Sequence, residues 1–279
     1  MTARRLLHDG LVLTGLLAIG WAWLMLMGDD FFHDARSYWS VDYDDMYGGS
    51  LVGRGATYLY SPAFAHLMFP LTLLSWPVFA AIFSAASLGA LVWMAGPILA
   101  AVLLFFPFSP VTDEISTGNI HLLIAAAIVV GFRWPSAWAF SLLTKVTPGV
   151  GVLWFAGARA WRSLTIAIGT TVGLVALSFF LAPQAWAEWV DLLVRSTSVP
   201  VPADIAVIPG PLWLRTGAAA ALVLVGGWRG WRWTVPASVA IALPVPWSSG
   251  LSVLVALIPL YGLRRRVHEA LLPPARSAA

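Results

Sequence analysis

The chain has 279 residues, 59% of them hydrophobic and only 10% charged, with a formal net charge of +3 and a mean hydropathy of +0.82. Soluble domains are about one quarter charged, so this composition excludes a protein that covers itself with water-compatible surface. The lack of cysteine excludes disulfides, thiolate nucleophiles and cysteine-based metal sites, and arginines at cytoplasmic helix ends explain the basic balance more simply than nucleic-acid binding does.

In hydrocarbon every backbone polar group needs an internal partner, which leaves helices or a closed barrel. The apolar runs are continuous and not alternating, so the expected fold class is all-α, a polytopic integral membrane protein. Residues 1–263 form its single transmembrane domain, and residues 264–279 a basic, disordered cytoplasmic tail.

The first apolar run covers residues 11–27, behind Arg4 and Arg5. No small-x-small cleavage site follows it, so it is expected to stay as a first transmembrane helix with a cytoplasmic N-terminus. The loop at residues 28–58 then holds Asp29, Asp30, Asp34, Asp42, Asp44 and Asp45, six of the chain's 13 acids. Arginines cluster at Arg4–Arg5, Arg133, Arg159 with Arg162, Arg229 with Arg232, and Arg264–Arg266. The positive-inside rule puts these in the cytoplasm, and the acidic loop, Asp113–Glu114 and residues 184–204 outside.

Three apolar segments separate Tyr58 from Asp113: residues 61–74, 77–95 and 97–108. Three full crossings would leave Asp113 inside. The first segment, ~21 Å at helical rise, is shorter than the ~30 Å core, so it is expected as a half-helix entering and leaving on the outer side. Residues 120–132 run inward to Arg133, and 137–147 with 149–158 form a broken or re-entrant pair around Pro148. Such backbone survives at membrane depth only where protein buries it or a wet cavity lines it. Residues 164–181, 211–227, 233–246 and 251–263 complete a count of about seven full crossings plus two half-inserted elements.

Several polar residues stand out. Asp34 lies in the aromatic and basic context FFHDARSYW, where partial burial equips a carboxylate as a general base; Asp29, Asp30 and Asp42 read as solvated charges. Lys145, the chain's one lysine, sits in an apolar segment, either as a phosphate-binding cation or snorkelling to the interface. Arg215 offers the same two readings. Asn119 is a helix N-cap or part of an anion site at a helix N-terminus, with His121 one turn in. His66 and His121 are not spaced as metal ligands with each other, and nothing in the spacing requires the alternative that Asp34, His33, His66 and His121 converge on a metal; no GxSxG elbow, GxGxxG or Walker pattern is present. The spans hold essentially no acids, which disfavours an ion-driven transporter.

The ordered motifs DARSY (Asp34–Tyr38), DDMY (Asp44–Tyr47), YLYSPAFA continuing to FPLTLL (Tyr58–Leu74), GNIHLL (Gly118–Leu123) and LLTKVTP (Leu142–Pro148) together resemble glycosyltransferase family 87. This chain has Tyr-Ser-Pro where that family has Tyr-Pro-Pro, and Gly-Asn-Ile-His where it has Gly-Gln-x-Asn. The resemblance implies a GT-C-like helical bundle in the plasma membrane and an extracytoplasmic active site without metal or cofactor. It implies transfer of a sugar, mannose in the related actinobacterial enzymes, from a polyprenyl-phosphate donor to a lipid or glycan acceptor. Asp34 maps onto the catalytic base. Lys145, helped by Arg36 and Arg215, would hold the donor phosphate, and Tyr38, Asp44, Asp45, Tyr60, His66, Asn119 and His121 would contact substrate. The rival readings are a non-catalytic lipid or glycan transporter, an accessory subunit of an envelope-assembly complex, and a lipid-phosphate hydrolase.

Overall fold

The computed structural model describes residues 11, 15, 31–48, 58–106, 109–196 and 207–262. Most of the expected first span, Asp29, Asp30 and the 264–279 tail lie outside them.

Among the described residues every regular element is helical. In order they are α1 (His33–Trp39), α2 (Pro62–Thr72), α3 (Trp76–Ala95), α4 (Pro97–Phe105), α5 (Pro110–Thr117), α6 (His121–Gly131), α7 (Trp138–Thr144), α8 (Leu153–Gly157), α9 (Trp161–Leu181), α10 (Pro183–Ser196), α11 (Leu212–Arg229), α12 (Thr234–Ile241) and α13 (Leu257–Leu260). Tight 3-10 turns fill Pro135–Ala137, Thr147–Val152 and Ser249–Ala256.

Proline sets many of the starts. It stands at one of the first two positions of α2, α3, α4 and α5, where its missing N–H costs nothing and its fixed φ is already helical. Ser61 and Ser109 precede two of these and accept from Phe64 N–H and Val111 N–H.

Two helices, α3 and α9, are long and apolar enough to cross a membrane; α4 and α5 together make a third candidate, bent by 81° at its break. The expected count of about seven full crossings is not reproduced among the described residues. The described part of residues 97–108 yields the nine-residue α4, about 14 Å long. Residues 233–246 give the eight-residue α12, and 251–263 fall largely in a 3-10 run closed by the short α13. Composition marks these runs as apolar but does not reveal where the backbone tightens or turns. The segment around Pro148 is broken as expected, into α7, a 3-10 turn and α8, and α2 has the expected half-helix length.

The surface fits lipid. Phe180 on α9 is 88% exposed and Leu177 and Val172 flank it, a face that would be a large apolar liability in water. Inside, Tyr38 of α1 lies edge-on to Tyr60 and Phe64, with ring centroids 5.0 and 5.6 Å away, and 5.6 Å from Phe83 of α3. This aromatic cluster fastens the acidic loop to the bundle. Hydrogen bonds add to it: Tyr43 Oη donates to Ala65 O, Tyr47 Oη to Tyr60 O, and Trp39 Nε1 to Leu74 O.

Candidate active site

The site is built at the corner between α5 and α6. Gly118 ends α5 in the left-handed region, at φ 66°, a conformation that glycine adopts without strain. A β-carbon there would also come within 2.7 Å of Ala35 Cβ and 2.8 Å of Phe32 Cδ1. The corner therefore turns sharply and lets α1 pack directly on it. Phe32 N–H donates to Ser116 O at 2.9 Å and completes the dock.

This contact brings Asp34 to Asn119. Asn119 Nδ2 donates to Asp34 Oδ2 at 2.5 Å, while Asn119 Oδ1 accepts from Ile120 N–H at 2.8 Å. The backbone amide thus fixes which end of the Asn119 side chain faces the carboxylate. Asp34 remains accessible over about a third of its side chain (31%), with His33 Nε2 3.8 Å from Oδ1. Burial raises its pKa above the ordinary carboxylate value; His33, Lys145 and His121 oppose that rise and Glu114 adds to it.

A second set of polar groups lies beneath the corner. Glu114 is wholly enclosed and His121 almost so. Glu114 Oε2 lies 2.9 Å from His121 Nδ1, and Oε1 accepts from Leu122 N–H at 3.2 Å. The opposite ring nitrogen, His121 Nε2, is 2.6 Å from Lys145 Nζ. The Lys145 ammonium also stands 5.8 Å from the Tyr60 ring centroid, in cation–π range. Tyr60 Oη pairs with Tyr38 Oη at 2.8 Å.

Two elements hold Lys145 in place. It follows the last residue of α7, and Ser61 Oγ donates to Leu143 O at 2.5 Å. Ser61, the serine of the Tyr-Ser-Pro sequence, so joins the start of α2 to the end of α7. Chain positions 34, 60, 119, 121 and 145 converge on one corner.

Other expected site residues have different surroundings. Arg36 is two residues from Asp34 on α1, hence about 200° around the helix, and its guanidinium lies 4.9 Å from the Trp76 ring centroid. Arg215 donates to the carbonyls of Gly210, Ile241, Leu243 and Pro244; it caps the end of α12 and the turn after it. His66 Nδ1 is 2.9 Å from Ser178 Oγ and links α2 to α9. Tyr38 is fully buried. Asp44 and Asp45 are exposed, and Asp44 N–H closes a local turn onto Asp42 Oδ1.

Asn119 is not the N-cap of α6. That position belongs to Ile120, and no side chain caps there. Glu114 instead satisfies the amide of Leu122, so a carboxylate of the protein already occupies the helix N-terminus expected as an anion site. Glu114 is the residue that sequence reasoning missed. The signal was the Thr-Gly-Asn corner, which folds α5 back so that a residue seven positions before His121 faces it. Among the described residues no three His, Asp or Glu side chains group as a metal ion would require.

The arrangement offers a solvent-accessible carboxylate, an amide that orients it, and a cation beside them. A family model described as Glycosyltransferase family 87 matches residues 58–266. That segment includes Tyr60, Glu114, Asn119, His121 and Lys145 and begins after Asp34. No curated protein and no solved structure matches the chain. The family match spans well over half of the sequence, and the chain belongs to glycosyltransferase family 87.

Proposed function

We propose that this glycosyltransferase moves a sugar, most simply mannose, from a polyprenyl-phosphate donor to a hydroxyl of a lipid or glycan acceptor. The reaction takes place on the extracytoplasmic face of the plasma membrane, with Asp34 as general base. The observation that carries this reading is the hydrogen bond from Asn119 to an accessible Asp34 carboxylate, at a corner that also holds Lys145.

In the proposed step the acceptor oxygen attacks the anomeric carbon and its proton passes to Asp34. The bond from the anomeric carbon to the phosphate oxygen breaks, and polyprenyl phosphate leaves. The phosphate goes from a singly charged diester toward a doubly charged monoester, and the Lys145 ammonium offsets that growing charge. Asn119 keeps the second carboxylate oxygen in place, which leaves Oδ1 for the acceptor proton. Arg215 has no part in this step because its donors are directed to backbone carbonyls.

The test is transfer of labelled mannose from polyprenyl-phosphomannose by purified protein in nanodiscs. Asp34→Asn keeps size and shape but cannot take a proton, so transfer should fall by roughly 100-fold or more, within the range general-base catalysis contributes. A wild-type rate in D34N would sink the assignment. A transporter or accessory subunit would leave the donor intact, and a lipid-phosphate hydrolase would release sugar without an acceptor.

A further inference from the structure

Lysine is a flexible point charge on a four-carbon stem and does not orient itself as a guanidinium does. A lysine that must meet one phosphate needs something to aim it. The chain Glu114–His121–Lys145 has that form, and no step of the transfer reaction uses Glu114 or His121 directly.

The hydrogen-bond chemistry fixes its polarity. An ionised carboxylate only accepts, and Glu114 accepts from Leu122 N–H through Oε1. The His121 Nδ1 that faces Oε2 at 2.9 Å therefore carries the ring proton. The opposite nitrogen, Nε2, then presents a lone pair, and the group 2.6 Å from it is the Lys145 ammonium. One N–H of Lys145 is taken by the ring and two stay available, over the face of Tyr60. Glu114 and His121 are both enclosed, so water does not compete for these bonds.

We infer that Glu114 and His121 are positioning residues that aim the Lys145 ammonium at a lipid-linked phosphate, with Glu114 selecting the His121 tautomer that accepts from lysine. This rests on the donor-phosphate reading of Lys145 and identifies what makes that lysine effective. Neither residue touches the reacting atoms.

Glu114→Gln tests the polarity. The Gln carbonyl can still accept from Leu122 N–H, which turns its NH2 toward His121 Nδ1. The ring proton must then move to Nε2, which opposes Lys145 with a donor. Glu114→Asp keeps the charge on a shorter arm.

The experiment uses full-length protein in nanodiscs, polyprenyl monophosphate without a sugar as the binding probe, and 15N NMR of labelled histidine. The wild-type His121 signal should report an Nδ1–H tautomer. E114Q should shift it to Nε2–H and weaken probe binding roughly tenfold, the scale of one hydrogen bond to a charged group; E114D should restore most of both. An Nε2–H tautomer in the wild type overturns the proposal, and that measurement needs no variant to fold. Wild-type probe affinity in a folded E114Q also overturns it, even where sugar transfer is present. Loss of probe binding in E114Q without sugar transfer by the wild type supports the positioning role and refutes the transfer reading instead.

Discussion

Asn119 Nδ2 donates to Asp34 Oδ2 at 2.5 Å, although 85 positions of chain separate the two residues. The amide orients the carboxylate and favours its ionised form. Asn119→Ala removes that donor and should lower kcat for sugar transfer by about 10-fold, the scale of one hydrogen bond to a charged group. The KM for the donor should change little, because Lys145 keeps its partners. Steady-state kinetics in nanodiscs separates the two parameters. An N119A enzyme with wild-type kcat and a raised KM would place Asn119 on the substrate and not on Asp34.

The pH profile follows from the same pair. Burial raises the Asp34 pKa above the ordinary carboxylate value, and a base works only when deprotonated. Activity should therefore fall on the acid side at a pH higher than an exposed aspartate would give, and recover as pH rises. The linked stability has the opposite sense: a raised folded-state pKa contributes stability at low pH that is lost as pH rises through it. His33, Lys145, Glu114 and His121 all act on this carboxyl. In Asn119→Asp a second carboxyl takes the donor's place, and the acid limb should move further up. A kcat/KM profile measured on both proteins decides it.

How much of this was legible in the sequence depended on how local the determinant is. Asp34, Asn119, His121 and Lys145 stood out because polar residues in apolar surroundings are unusual at any single position. Glu114 did not, since it sits beside Asp113 in a helix that looks solvated, and its partners His121 and Leu122 lie beyond the Gly118 corner. Arg215 offered two readings, phosphate ligand or snorkelling cation, and its carbonyl partners were not legible because all but Gly210 lie 26 to 29 residues away. The shortness of α2 was legible from the length of its apolar run. The crossing count did not, because 3-10 turns and sharp bends leave little trace in hydropathy.

Gly118 is where fold and site depend on one atom. Alanine there needs the left-handed conformation, about 1–2 kcal/mol, and its methyl would meet Ala35 and Phe32 below 3 Å. Overpacking adds about 1–3 kcal/mol. Gly118→Ala should therefore lift α1 from the corner, separate Asp34 from Asn119 and lower the thermal unfolding midpoint. Protease cleavage within residues 31–48 should become faster than in the wild type. Unchanged protection together with full activity would mean that α1 docks by other contacts.

Arg215 gives the sharpest contrast between a structural and a binding role. Four of its donor contacts satisfy carbonyls at Gly210, Ile241, Leu243 and Pro244, so truncation leaves the buried Leu243 carbonyl without this donor, at about 1–3 kcal/mol before relaxation, and three partly buried carbonyls to be satisfied by other means. Arg215→Met keeps the stem's packing but removes every donor and should destabilise the protein markedly. Arg215→Lys keeps the charge but cannot reach four carbonyls with one ammonium, so it should also destabilise, by less. A phosphate ligand would behave differently: R215K would stay near wild type in stability while the donor KM rose. Thermal unfolding and donor KM, measured side by side on R215K, separate the two roles. The carbonyl geometry predicts that the unfolding midpoint falls while the donor KM of the folded fraction stays where it was.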